Sequence, residues 1–353
     1  MKNLSLLFIA FLFLQFTTLA QEGWFWQNPS PQGHNLESVY FINELTGWAA
    51  GGYGTIIKTT DGGETWCDQH CEVVDDWSGL GFLHFIDDDV GWVAEKVVES
   101  SFVYSRIHKT TNGGDDWIFQ ASMYETRALQ FVDYDTGYAI GSAYEILKTT
   151  NGGDSWESQF YSDTLDLYSC FFINNSLGWA IGSSIILKTT NGGTDWFFQD
   201  CPVKNQLNSV YFINDSTGWI GGGYYYDNGV ILKTTDGGEN WIVQVIGDWG
   251  SYESIYFINE NIGFSINNVR NEYGQIAKTT DGGLNWEIKY SEHIAYLNCI
   301  SFTNNGIACA VGDDGMILKT TDEGEEWVPQ LKYFKNYLDV NLQSVYFVNN
   351  ELG

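Results

Sequence analysis

Short apolar runs, alternating or nearly so and fenced by Gly, Asn and Asp, recur along almost the whole chain. Val39-Tyr40-Phe41-Ile42-Asn43 passes through a polar turn into Gly47-Trp48-Ala49-Ala50-Gly51, and similar pairs lead from Phe172 to Gly178-Trp179, Phe212 to Gly218-Trp219 and Phe257 to Gly263-Phe264. Alternation with β-branched and aromatic residues between turn formers predicts strands joined by tight turns. No stretch sustains a 3.6-residue period with caps, so little helix is expected.

The runs belong to a repeat. Lys58-Thr59-Thr60-Asp61-Gly62-Gly63-Glu64-Thr65-Trp66 returns with Lys at 109, 148, 188, 233, 278 and 319. Each is followed eight residues later by Trp117, Trp156, Trp196, Trp241, Trp286 or Trp327. The Trp-to-Trp spacings are 51, 39, 40, 45, 45 and 41. Each unit supplies four strands, through Phe41, Trp48 and Ile56-Ile57 and from Trp66. Four strands per unit of this period, repeated radially, predict an all-β fold, a β-propeller of four-stranded blades with seven complete repeats. An eight-bladed ring stays open, because Leu342–Gly353 reads as the start of a further, truncated repeat. Trp24-Phe25-Trp26-Gln27 reads as a fourth strand with no blade before it, the kind that closes such a ring. The expected organisation is a signal peptide over 1–20, the propeller over 21–341 and the truncated repeat over 342–353, which makes the chain a fragment.

The segment Thr59-x-Asp61-x-Gly63-x-x-Trp66 resembles the Asp box of bacterial neuraminidase repeats. Together with the Ser-Val-Tyr-Phe and Gly-Trp strands it resembles the photosystem II stability/assembly factor-like repeat family over nearly all of residues 24–353. Asn replaces Asp at Asn112, Asn151 and Asn191, whereas Asp236, Asp281 and Asp322 keep it, and the last copy has Glu323 for a Gly. Sevenfold repetition makes these residues turn fasteners, since chemistry needs one convergent site. The Asp or Asn accepts backbone N–H bonds, Gly supplies positive φ, and the Trp anchors the next strand. In similar families the boxes sit on the face away from the active site. The resemblance also implies photosystem II biogenesis, but its photosynthetic members are expected to present an arginine-rich patch. This chain has only three Arg, so the resemblance identifies the repeat and not the job.

The repeats can be compared with one another. Lys to Trp is eight residues in every copy, and Phe to the following Gly is six in all but the seventh, where Phe302 to Gly306 is four. The other two connections vary: Gly to Lys is 11, 18, 11, 10, 15, 15 and 13 residues. Variation therefore collects on one face, where binding is usually built on a rigid scaffold. The inserted segments are Glu95–Tyr104, Tyr224–Asn228 and Asn267–Tyr273. Tyr224, Tyr225 and Tyr226 suit a protein or carbohydrate ligand, with flat rings and hydroxyl tips. Arg106, Arg127 and Arg270 fall in or beside these segments and are the remaining candidate binding residues. A sialidase-like site would use three Arg on a carboxylate beside a Tyr–Glu pair, and a xyloglucanase-like one two carboxylates across a cleft. No catalytic constellation can be assigned to particular residues here.

Composition then narrows the partners. Against 45 Asp+Glu stand 16 Lys+Arg, a formal charge of −29, and seven of the 13 Lys are spent on the repeat motif. Nucleic acid and other polyanions are excluded as partners. Met1-Lys2-Asn3, the apolar run Leu4–Leu14 and Thr18-Leu19-Ala20 read as a secretory leader cleaved before Gln21, too short to span a membrane. The mature chain is expected to be a secreted or cell-surface monomer with no membrane insertion. The leader and repeats resemble those of exported Bacteroidetes-type proteins, which often carry a sorting domain of the type IX secretion system; none is visible. Six Cys in an exported chain suit disulfides: Cys299 and Cys309 flank one turn and are expected to bridge, and Cys67 with Cys71 to close a loop, a metal-binding fragment Cys67-Asp68-Gln69-His70-Cys71 being the less favoured alternative. Cys170 reads as a buried small hydrophobe. Asp87-Asp88-Asp89 occupies the turn position of Asn43-Glu44-Leu45 and reads as a solvated turn. No cofactor or metal is expected. The sequence reading is thus an exported, non-enzymatic binding or surface-interaction propeller. A glycoside hydrolase and a structural spacer of a larger surface protein are the alternatives.

Overall fold

The computed structural model describes residues 34–330 apart from 74–77, 101, 142–144, 225–227, 247–249, 270–272, 292–295 and 304–305. Seven four-stranded antiparallel sheets follow one another along the chain, each with its strands in simple consecutive order. Their first, axial strands are Leu36–Phe41, Gly79–Phe85, Thr126–Phe131, Leu167–Phe172, Leu207–Phe212, Gly250–Phe257 and Leu297–Phe302. Each packs on the next, and the seventh returns to the first: Phe41 N–H donates to Ser301 Oγ at 3.1 Å and Asn298 Nδ2 to Leu36 O at 2.9 Å. The ring is a β-propeller that closes with seven blades. The fourth strand of the last blade is its own Val328–Pro329. Trp24–Gln27 and the segment 342–353 lie outside the described residues.

One aromatic unit explains why the sequence repeats as it does. The last residue of each first strand is a Phe, and the fourth-strand Trp of the same blade meets it edge-on, at 6.0 Å for Phe41–Trp66 and 5.8 Å for Phe212–Trp241. The second-strand aromatic of the preceding blade stacks flat on that Phe: Trp48 on Phe85 at 3.6 Å, Tyr138 on Phe172 and Trp179 on Phe212 at 3.5 Å. Gly178 opens the second strand because a Cβ there would lie 2.3 Å from the Phe172 ring. Polar groups of the same residues reach across the seam. Trp48, Trp92, Trp179 and Trp219 donate Nε1–H to the turn carbonyls of Gly113, Gly152, Gly237 and Gly282 in the following blade. Lys148 and Lys233 donate Nζ to Gly192 O and Gly282 O at 2.8 and 3.1 Å. The motif lysine is thus an inter-blade fastener whose charge is held over the ring of its own blade, Lys233 lying 4.9 Å from the Trp219 centroid.

The third-to-fourth-strand turns share one hydrogen-bond plan. In the first, Thr59 Oγ1–H donates to Asp61 Oδ1, Gly63 N–H donates to Thr59 Oγ1, and Thr65 N–H donates to Asp61 Oδ1. Asn151 and Asn191 replace Asp without altering it. Gly62 and Gly63 sit at φ 72° and 87°, the left-handed region where a Cβ is strained. On the same face Asn43 Oδ1 accepts from Leu45 and Thr46 N–H, and Asp87 Oδ1 does the same for Asp89 and Val90.

Several sequence expectations need correction. Cys299 and Cys309 are not bridged, and Cys67 and Cys71 are free as well. Cys299 pairs in register with Val311 and Cys309 with Ser301, so the two thiols are offset along the ladder. The seventh turn is not shortened: Ala308 pairs with Phe302 as Gly47 pairs with Phe41, and Ala308 stands in for the glycine. The insertion at Glu95–Tyr104 is a lengthened hairpin, Gly91–Glu99 with Phe102–Thr110, and that at Asn267–Tyr273 extends Gly263–Val269 with Tyr273–Thr279.

Candidate functional site

The axial strands contain an irregularity that turns the ring axis into a recess. In each, one residue is skipped by the ladder: Leu36 pairs with Gly51 and Ser38 with Ala50, so Glu37 has no partner. The same slip isolates Arg127, Tyr168, Asn208, Glu253 and Asn298. In the second blade it falls between Gly81 and His84, and Phe82 takes φ 51°. A β-bulge re-aims the side chain it carries. All seven bulge residues line one cavity of about 700 Å³ at the mouth of the axis. The glycine ending several second strands makes room for the slip. A Cβ on Gly182 would sit 1.7 Å from Asp166 O, and one on Gly51 1.9 Å from Asn35 O.

The recess opens on the face of the variable connections. Gly52, Tyr224 and Asp313 come from second-to-third-strand connections, and Glu125, Gln206 and Tyr296 from crossings between blades. Below it, aromatic side chains of the axial strands gather: Tyr40 lies 5.0 Å from His84, Phe171 5.1 Å from Tyr211, and Tyr211 4.8 Å from Tyr256. Burial, then the nearby Tyr256, pushes the Tyr40 hydroxyl up to about 12, and burial takes His84 down to about 4. Tyr40 and His84 are therefore neutral at physiological pH.

The walls are charged. Lys96 pairs with Glu125, and Arg127 with Asp166 at 3.3 Å while lying 4.9 Å from the Tyr168 ring centre. Both cations are therefore already matched. Among the described residues Glu37, Glu253 and Asp313 make no ion pair. Burial raises the Glu37 carboxyl above its ordinary range, Asp313 adds to this, and Lys96 opposes it. Burial raises Glu253 against a hydrogen bond with Ser251, and Asp313 against one from Asn298 Nδ2 at 3.2 Å. Thr126, only 5 % exposed, stands on the wall with its hydroxyl unpartnered.

Of the residues singled out from sequence, Arg127 and Tyr224 line the recess. Tyr225, Tyr226 and Arg270 lie outside the described residues. Arg106 does not line it; it donates to the buried Glu95 at 3.2 Å and covers the Phe119 ring at 4.7 Å. Glu95 also bonds His108 Nε2 at 2.8 Å, so this trio is a buried structural network in the second blade. The other bulge residues escaped sequence reading, although a signal was present. The heads Leu36-Glu37-Ser38, Leu167-Tyr168-Ser169 and Leu207-Asn208-Ser209 hold an apolar and a small residue fixed around a variable one. Among the described residues no group of His, Cys, Asp and Glu has the arrangement of a metal site.

Ring and recess together define a seven-bladed β-propeller with a walled axial mouth. The chain belongs to the photosynthesis system II assembly factor YCF48 family, whose profile matches residues 119–255 and 162–296, which between them span half of the sequence. Among solved structures it is similar to YCF48 bound to D1 peptide, with a TM-score of 0.66 and 17 % identity over 82 % of this chain and 94 % of that one. YCF48 from Cyanidioschyzon merolae gives 0.65 and 18 % over 82 % and 96 %. A family 74 xyloglucanase from Xanthomonas campestris gives 0.71 and 12 %, over 85 % of this chain and 55 % of that chain. At these identities the likenesses speak to the fold. No curated protein matches the sequence significantly.

Proposed function

We propose that this chain is an exported, non-enzymatic propeller that binds a partner polypeptide in the axial recess. One observation carries the reading: seven separate bulges bring seven side chains of five different types to one mouth, a surface suited to recognition. A family relative has been solved with a D1 peptide, which supports a polypeptide ligand. The rims carry exposed Phe82 and Tyr224, flat groups of the kind that dominate protein recognition. Export rests on the leader read from Met1 to Ala20. N-terminal sequencing of the protein from its native host should begin at Gln21.

Selection of peptides from a random library on the full chain tests the site. Binders should lose at least tenfold in affinity when Asn208→Trp fills the mouth, and should be unaffected by Asp154→Asn on the turn face. Binding indifferent to Asn208→Trp would remove the recess from the reading. Release of reducing sugar from xyloglucan or of sialic acid from a sialoside, abolished by Glu253→Gln, would replace it with a hydrolase.

A further inference from the structure

The charge at the mouth points to a particular class of polypeptide, and this step rests on the polypeptide-binding reading above. Among the described residues, two cations and four carboxylates line the recess. Both cations are engaged, Lys96 by Glu125 and Arg127 by Asp166. Three carboxylates remain, delivered by three consecutive blades of the closed ring: Glu253 from blade six, and Asp313 and Glu37 at the seam of blades seven and one. A free-standing acidic cluster on a surface of charge −29 would mean little. These three differ because all of them line the recess of about 700 Å³, and two of them stand on bulges of the axial strands. The wall holds a second, independent signal, the buried and unpartnered Thr126 hydroxyl, which a bound donor or acceptor would satisfy. Its backbone N–H is already spent on Ser105 Oγ at 2.8 Å, so the hydroxyl is the group left over.

We infer that the recess takes a polypeptide segment presenting a primary ammonium or guanidinium group, a Lys or Arg side chain or a free N-terminus, seated against Glu37, Asp313 and Glu253. The aliphatic part of such a side chain packs on Tyr168, Phe82 and Tyr296, and its charged end meets carboxylates drawn partly out of water, where an ion pair is stronger than in bulk. Seating the cation favours the ionised carboxyls, so binding weakens as pH falls through their raised range. A carboxylate-terminated or acidic segment is disfavoured, because both cations among the described residues of the mouth are already paired.

The test uses the full chain and two fluorescein-labelled probes, the hexapeptides Lys-Tyr-Lys-Tyr-Lys-Tyr and Glu-Tyr-Glu-Tyr-Glu-Tyr, in fluorescence anisotropy at 150 mM salt. The expected result is at least tenfold preference for the cationic peptide. That preference falls at least tenfold in E37Q/E253Q/D313N and stays within twofold in D115N/D154N/E326Q, which removes equal charge from the opposite face. Far-UV circular dichroism confirms that each variant is folded. A cationic preference lost equally in both triple variants reports general attraction to an acidic protein and overturns the inference. Binding of the acidic peptide that is blocked by Asn208→Trp also overturns it, but leaves the polypeptide-binding reading in place. No binding of either probe, together with no library binder sensitive to Asn208→Trp, overturns both.

Discussion

Replacing Trp179 by Phe isolates one fastener between blades four and five. The phenyl ring keeps the flat stack on Phe212, at 3.5 Å in the parent, but loses the Nε1–H that Gly237 O accepts at 3.1 Å. Lys188 offers no substitute, because its Nζ is turned to Glu239 Oε1 at 3.0 Å. A buried carbonyl left unsatisfied costs about 1–3 kcal/mol. Shrinking a fully buried indole to a phenyl adds roughly 1 kcal/mol of lost contact and cavity. The sum is about 2–4 kcal/mol. Trp219→Phe removes the same atoms one blade further on, from a bond of 3.0 Å to Gly282 O and a stack of 3.5 Å on Phe257. There Lys233 also holds Gly282 O, at 3.1 Å, so the carbonyl keeps a charged donor. Trp219→Phe should therefore be milder by about 1 kcal/mol. Guanidinium denaturation followed by far-UV circular dichroism measures both. Adding Lys233→Met to Trp219→Phe should cost more than the two single changes summed. Equal midpoints for the two Trp variants, or strict additivity with Lys233→Met, would refute the idea that Trp and Lys share one acceptor.

The turn carboxylates give a pH signature. Hydrogen bonds from Asn240 side chain and backbone hold Asp236 below the ordinary carboxylate range, and those from Asn285 do the same for Asp281. Their contribution is present above the unfolded value and is lost as pH falls through the lowered folded one. The Asn-bearing turns have no such dependence, so D236N/D281N should flatten acid unfolding below pH 4 while barely moving the melting temperature at pH 7. Glu95→Ala should cost about 3–5 kcal/mol by stranding Arg106 and the buried His108, read as a lowered denaturation midpoint. All six thiols should react with Ellman's reagent in denaturant without prior reduction. In the native protein Cys67 should react first, as the exposed one, while burial pushes the Cys170 and Cys309 thiols up to about 12 and slows them.

The fold was legible because its determinants are local and repeated. Strand, tight turn and Trp anchor each lie within about ten residues of one another, and seven copies in register leave few other architectures. The face of the recess was legible from connection lengths. Its walls were not, because a bulge depends on how one strand is offset against its neighbour, and no single residue marks that offset. Arg127 was noticed for its type, whereas Glu37, Asn208 and Asn298 look like ordinary strand residues until six equivalents are laid beside them. The cysteine reading failed for a related reason. Closeness in sequence around a turn does not fix which residues face each other, and the ladder sets Cys299 against Val311.

The second-strand Trp and Tyr fasteners between blades point the same way along the chain, which bears on how the molecule emerges from a ribosome. Trp48, Trp92, Tyr138, Trp179 and Trp219 find their acceptors 65, 60, 54, 58 and 63 residues later. Each blade as it appears is completed by the next one made, a vectorial order in which only the newest edge is ever open. The first blade is the exception, since its turn is claimed last, by Lys319 reaching Glu64 across 255 residues. At that seam Cys309 occupies the place held elsewhere by an aromatic ring. Beside the Ser301 and Asn298 hydrogen bonds, closure of the circle therefore has a charge contact and a small thiol where the other seams have a stacked pair. Strain on the finished ring should open it there first.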